Sequence, residues 1–261
     1  MELQDFLQDI ARGAGQIIKD KYHVTKIWRT KSSPGDIVTE VDEASEKYVM
    51  DRIHQEFPND HILSEESGAS GIGEPDRVWI IDPLDGTRNY MMGIPFFCVS
   101  IGIARNGVPE AGVIYDPIHD EMFYTERGKG AWLNGERISV CNEVTLDDSL
   151  ISVSWVKRKV DRKRFIEYLD NLSKDTSYFR RFGSAALATA YVACGRLHAY
   201  LQGGLNPWDV AAGVLLIEEA GGVVTDFKGN PLDLRNPDIE ILTSNPDLHE
   251  MLLNQVMGIR K

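Results

Sequence analysis

Cysteine is scarce in this chain: Cys98, Cys141 and Cys194 are three of 261 residues, and no two form a C-x-x-C pair. Their odd number and wide spacing argue against a disulfide framework or a thiolate zinc site, so they read as small buried apolar side chains. Long apolar runs are missing too. No stretch approaches the ~18 residues a membrane span needs, and MELQDFLQDI at the start carries acids where a signal peptide has basic and apolar regions. The chain therefore reads as cytoplasmic, with no membrane partner. Positive charge is in short supply as well. Against 40 Asp and Glu there are 28 Lys and Arg, a formal charge of −12 with no basic block, so the bulk field repels nucleic acid and anionic lipid. A phosphate-bearing ligand has to be attracted locally.

Several chemical signatures are also missing. There is no G-x-S-x-G elbow, and His23, His54, His61, His119, His198 and His249 form no H-E-x-x-H or other close ligand pair. GASGIG (68–73) lacks the order of a nucleotide fingerprint and reads as a mobile loop over the site, while GKG (128–130) lacks the Walker spacing and reads as a hairpin turn. The alternating acids of a calcium loop are absent, which weakens a calcium-stabilised binding protein as an alternative.

What is present is an alternation of helical and extended patterns without repeats or linkers. Leu3, Phe6, Leu7, Ile10, Ala14, Ile17 and Ile18 mark one helix, and a second runs from about Asp42 to Phe57, ended by Pro58. Strands are expected over 61–64, 78–81, 97–104, 111–115, 122–125 and 138–140, with Asn106-Gly107 and Asn134-Gly135 as hairpin turns. Together they predict a meandering sheet. Farther on come strand 150–156, helix 162–172, strand 178–182, helix 184–194, strand 197–201, helix 208–220, strands 222–225 and 240–243, and helix 246–257. This predicts an α/β (α+β) fold of layered, alternating helices and sheets, with an N-terminal lobe of about 1–147 and a C-terminal lobe of about 148–261.

WIIDPLDGTRNY (79–90) ends an apolar run on two acids, Asp82 and Asp85, with Pro83 locked between them. Asp-Pro and Asp-Gly are ordinary turn dipeptides when met singly. Together, a rigid Pro turn can face both carboxylates and the Leu84 carbonyl into one pocket, and three hard oxygens suit Mg²⁺. Gly86 permits close backbone approach, and a helix starting after Thr87 would offer amides to an anion. Further acids must converge to complete such a site. Glu65 and Glu66 end the strand in ILSEESG, Asp209 opens a helix in PWDVAAG, and Asp42 stands in DIVTEVDEAS. Each also has a plain reading, as a solvated loop, a helix-dipole acid or an N-cap.

Read together and in order, KSSPGDIVTEVD (31–42), SEES (64–67), WIIDPLDGTRNY, GVIYDP (112–117), RGKGAWLNG (127–135) and WDVAAGVLLIEEAGG (208–222) resemble the inositol monophosphatase family of Mg²⁺-dependent, lithium-sensitive phosphatases. The resemblance spans nearly the whole chain. It implies the layered fold shared with fructose-1,6-bisphosphatase, one unit over 1–261, a homodimer, and two or three Mg²⁺ per site. It implies that Glu65, Asp82 and the Leu84 carbonyl hold one ion, and that Asp82, Asp85 and Asp209 hold a second. Thr87, bonded to Asp42, would activate water, Asp209 would stand by the leaving group, and the Gly86 and Thr87 amides would hold phosphate. Gly183, Ser184 and Ala185 match the family's substrate wall, and the loop bearing Lys31 would lie near the metals. Where the family reads the alcohol, this chain departs from it, with Gln202 in place of a glutamate, Asn206 in place of a histidine or arginine, and Met92 in place of a polar residue. The implied substrate is a small phosphate ester, inositol monophosphate first. Fructose 1,6-bisphosphate, NADP, 3′-phosphoadenosine 5′-phosphate and histidinol phosphate are alternatives, as is a catalytically silent regulatory or metal-binding protein. Arg180 and Arg181 offer either a grip for a second phosphate or a plain surface pair.

Overall fold

The computed structural model of the chain describes residues 2–24, 28–30, 37–71, 77–142, 144–154 and 162–257. Lys31 and the end of the glycine-rich stretch, Ile72 and Gly73, lie outside them, as do the last two residues of the strand expected over 150–156.

The first helix, α1 (Leu3–Lys21), buries Phe6, Leu7, Ile10, Ala11, Ala14 and Ile18 at the spacing of one helical face. After an antiparallel pair, β1 (Trp28–Thr30) and β2 (Ile37–Thr39), comes α2 (Glu40–Glu56). This helix begins two residues earlier than expected, and Asp42 is not its N-cap. Thr39 takes that place, accepting the Val41 amide at 3.1 Å, and Asp42 in the first turn accepts the Thr39 amide at 2.9 Å.

An eight-stranded sheet follows, made of β3 (His61–Ser64), β4 (Gly68–Ser70), β5 (Arg77–Asp85), β6 (Cys98–Arg105), β7 (Val108–Asp116), β8 (Glu121–Glu126), β9 (Gly130–Leu133) and β10 (Glu136–Ile138), in the order β10-β9-β8-β7-β6-β5-β3-β4. A short helix, α3 (Thr87–Met92), joins β5 to β6. From β5 to β10 the sheet is the expected antiparallel meander. Asn106 and Gly107 have φ of 52° and 81°, and Asn134 and Gly135 have 50° and 83°, the left-handed pairs that tight hairpins need. Several details differ from the sequence reading. Residues 68–70 of the expected mobile loop form β4, which pairs with β3. Gly130, the last residue of the expected turn, opens β9, and β10 begins two residues before its expected span.

The second sheet contains β11 (Ile151–Val153), β12 (Phe179–Arg180), β13 (Ala199–Leu205), β14 (Val223–Thr225) and β15 (Ile239–Ser244), in the order β12-β11-β13-β15-β14. Its helices are α4 (Arg162–Leu172), α5 (Ala185–Ala193), α6 (Pro207–Glu219) and α7 (Pro246–Met257). Five layers result: α1 and α2, the large sheet, α5 and α6, the small sheet, then α4 and α7. Composition explains the order. AALATAYVA and PWDVAAGVLLIEE are apolar nearly all round, as helices between two sheets must be, whereas α1 has a single apolar face.

Small residues set how close α6 comes. A Cβ on Gly102 would lie 2.7 Å from Ala211 Cβ, and one on Gly112 would lie 2.8 Å from Ala212 Cα. Two glycines therefore seat the start of α6 directly on β6 and β7. Cys98 is buried as expected, but Cys141 and Cys194 are only partly so. Among the described residues no helix is long and apolar enough to cross a membrane.

Candidate active site

The two acids of DPLD do not sit on a turn after the strand. They lie within β5, where Asp82 pairs with Ser100 and Asp85 with Cys98, and the register shifts between them. Pro83 has no N–H to give the ladder, so the strand bulges at that point instead of ending. The bulge is fixed from two sides: the Asp82 carboxylate accepts the Leu84 amide at 3.1 Å, and Ser45 Oγ donates to the Pro83 carbonyl at 2.8 Å. Gly86 then takes φ of 97°, a left-handed conformation suited to glycine, and caps α3, which begins at Thr87 itself.

Asp209 reaches the bulge from α6. Carboxylate oxygens of Asp82, Asp85 and Asp209 lie within 4.8 Å of one another, and the three residues are at most 9% exposed. Burial is the main cause that lifts the Asp82 carboxyl well above the usual range, followed by the charges of Glu65, Asp85 and Asp209. Asp85 is raised to about 7 by burial and by Asp209, against bonds from Ser184 Oγ and the Ala186 amide, both 2.6 Å long. Glu65 stands outside the tight group, at the end of β3, yet its charge reaches both acids. A buried, mutually repelling set of carboxylates is relieved either by protons or by a cation, and its hard oxygens fit a small divalent metal.

A second cluster adjoins the first. Thr87 Oγ1 lies 3.0 Å from Asp42 Oδ1 and 3.1 Å from the Leu84 carbonyl. Burial raises Asp42 to about 6, against its bonds from Thr39 and Thr87. A hydroxyl bonded to a carboxylate that titrates near neutrality can pass a proton to it.

The remaining predicted residues are placed more loosely. Ser184 caps α5, with its hydroxyl accepting the Leu187 amide at 3.2 Å while donating to Asp85. Its role in holding an acid 99 residues away has no local signal in the sequence. Gly183 has φ of 89°, and Ala185 opens α5. Gln202 Oε1 accepts the Tyr200 hydroxyl at 2.6 Å, which leaves its amide nitrogen as the donor end. Asn206 caps α6, and its backbone N–H donates to Asp209 Oδ2 at 2.6 Å. Met92 is exposed at the end of α3. Arg180 turns to the Phe179 carbonyl at 2.9 Å and Arg181 to Ser154 Oγ at 3.4 Å, both on the surface. Among the described residues no histidine joins an acidic group that could hold metal.

With this geometry in view, comparison with known proteins decides the family. A model of the inositol monophosphatase family matches residues 1–260. The chain belongs to that family. It is 36% identical over 265 residues to inositol-1-monophosphatase of Bacillus subtilis (strain 168), covering all of this chain and 98% of that protein. It is 41% identical over 221 residues to Nus factor SuhB of Escherichia coli (strain K12), covering 84% and 83%. The inositol monophosphatase structure from Anabaena (Nostoc) sp. PCC 7120 superposes with a TM-score of 0.85 at 40% identity, covering 98% and 96%. SaIMPase-II bound to inositol monophosphate gives 0.83 at 31% identity, covering 99% and 94%, and a second structure of that protein holds 2'AMP. Inositol monophosphatase folds are thus the structural neighbours, and the family is one of phosphatases.

Proposed function

We propose that this inositol monophosphatase family member is a Mg²⁺-dependent phosphomonoesterase acting on a small phosphorylated alcohol, inositol monophosphate first. The observation that carries the reading is the pairing of the buried Asp82, Asp85 and Asp209 group with the Thr87–Asp42 hydrogen bond. Glu65, Asp82, Asp85, Asp209 and the Leu84 carbonyl are the donors that would hold two or three ions. When bound, Mg²⁺ supplies positive charge for the phosphate oxygens and acidifies water. The chain's own residues then move protons and hold the ester. Thr87 Oγ1 accepts a proton from the attacking water while passing its own to Asp42 Oδ1. The new P–O bond forms as the ester P–O bond breaks, and the departing alkoxide takes a proton from water beside Asp209. The Gly86 and Thr87 amides hold the phosphate in line.

Gln202 carries what specificity this reading can assign. Its Oε1 is held by Tyr200, whose hydroxyl pKa is raised by burial and by the charges of Asp85 and Asp209. A donor stands where a glutamate would only accept, which favours an ester offering an acceptor oxygen there. Inositol monophosphate and 2′-phosphorylated nucleosides both offer one, and both ligand types are named for the SaIMPase-II structures. A homodimer and a cytoplasmic setting belong to the same proposal, with light scattering as the check on the first.

The decisive experiment measures phosphate released from inositol 1-phosphate, 2′-AMP, fructose 1,6-bisphosphate, NADP, 3′-phosphoadenosine 5′-phosphate and histidinol phosphate, with Mg²⁺ or EDTA. Mg²⁺-dependent release from one of them supports the reading and names the ester. Release from none moves weight to a silent regulatory role, a reading suggested by the name of the Escherichia coli relative, Nus factor SuhB.

A further inference from the structure

We infer that Glu46 is a positioning residue that sets the Glu65 turn, and so the proposed metal cage, by geometry and not by its charge; this rests on the metal reading above. Asp42, Ser45 and Glu46 stand at i, i+3 and i+4 on one buried face of α2. Each ends on a different piece of the site. Asp42 accepts from Thr87, and Ser45 donates to the Pro83 carbonyl inside the β5 bulge. Glu46 Oε1 accepts the Glu66 amide at 3.2 Å, the Ser67 amide at 3.0 Å and the Ser67 hydroxyl at 3.1 Å. One turn of one helix therefore spaces the proton acceptor, the bulge and the glutamate turn.

The Glu65 backbone is held on both sides. Its own amide donates to the Ile81 carbonyl at 3.1 Å, one residue before Asp82, and the next two amides converge on Glu46. With these three bonds made, the Glu65 side chain leaves a fixed piece of backbone beside Asp82. Glu46 is 8% exposed, and burying a carboxylate is costly unless donors converge on it. Packing alone would be served by an apolar residue. A carboxylate whose one oxygen gathers three donors from the turn after Glu65 is placed to orient that turn.

Two conservative variants separate geometry from charge. Glu46→Gln keeps an acceptor oxygen at full reach and removes the charge, while Glu46→Asp keeps the charge and withdraws it by one methylene. Mg²⁺ dissociation constants would be measured by titration calorimetry, with melting temperatures in EDTA as the record of structural cost. Outer-shell partners of a metal site typically carry about 10- to 100-fold in affinity, so Glu46→Asp is expected to weaken Mg²⁺ about tenfold, with Glu46→Gln within about threefold of wild type. The reverse order would assign Glu46 to the field and overturn the proposal. So would a lowered melting temperature with an unchanged Mg²⁺ constant in Glu46→Asp. If wild type itself binds no Mg²⁺, the metal reading fails and this inference falls with it; wild-type binding with an unshifted Glu46→Asp refutes this inference alone.

Discussion

Thr87 Oγ1 faces both the Asp42 carboxylate and the Leu84 carbonyl, so one hydroxyl links the proposed proton acceptor to a proposed ligand. Replacing it separates the two functions. Thr87→Ala is expected to lower kcat by about 10²- to 10⁴-fold, the usual worth of general base catalysis, while the Mg²⁺ dissociation constant stays within about twofold. Asp82→Asn is expected to lose both, since it removes the most buried charge of the acidic group. Equal loss of Mg²⁺ binding in the two variants would show the Thr87 role to be wrong. A pH dependence follows from the same residues. Asp85, raised to about 7 from 3.8, keeps a proton in the metal-free folded chain that the unfolded chain has released. Its contribution to stability is therefore lost as pH rises toward 7 and beyond. His249, lowered to about 4 by burial, acts in the opposite sense only up to its ordinary value of 6.5. Between pH 6.5 and 8 the metal-free melting temperature is expected to fall. Mg²⁺ competes with the same proton, so its stabilising effect is expected to be larger at pH 8. Differential scanning calorimetry with Mg²⁺ or EDTA at the two pH values reads both.

Among elements, those with a full period of pattern were legible. Helices α4 and α7 have the expected bounds, and both Asn-Gly pairs make their hairpins. Short or nonlocal elements were not. The six residues of α3 hold under two turns, too few for periodicity to register. Residues 68–70 looked like a glycine-rich loop, because nothing local announces their pairing with β3. Pro83 suggested a turn because a proline ordinarily ends pairing, yet the Ser45 bond and the return of the ladder at Cys98 carry β5 through it. Element packing also makes a prediction. α6 carries Asp209 toward the β5 acids from a seat that Gly102 and Gly112 leave open, so Gly102→Ala is expected to cost about 1–3 kcal/mol by overpacking. The same shift should weaken Mg²⁺ binding, a loss read by denaturant unfolding and metal titration together. Undiminished Mg²⁺ affinity in a destabilised variant would mean that this contact does not place Asp209.

At the scale of the whole molecule, the five layers bring α2, β5 and α6 together at one site, although they stand far apart in the chain. The motif order in the sequence made the acids legible as a set and made the layered fold an expectation that the structural neighbours share. It could not show that Asp82, Asp85 and Asp209 form the tight group with Glu65 outside it, or that α5 holds Asp85 through Ser184. Those facts depend on how layers meet, and no local pattern encodes that. A net charge of −12 leaves a phosphate ester repelled at long range, so the buried acids make sense as a phosphate site once a cation occupies them. The most direct test is the initial rate of phosphate release from inositol 1-phosphate as Mg²⁺ is titrated into EDTA-stripped wild type and Asp209→Asn. The account predicts a saturable rise from zero in the wild type and a curve displaced to higher Mg²⁺ with a lower plateau in the variant. Release that persists without metal, or that Asp209→Asn leaves unchanged, would contradict it.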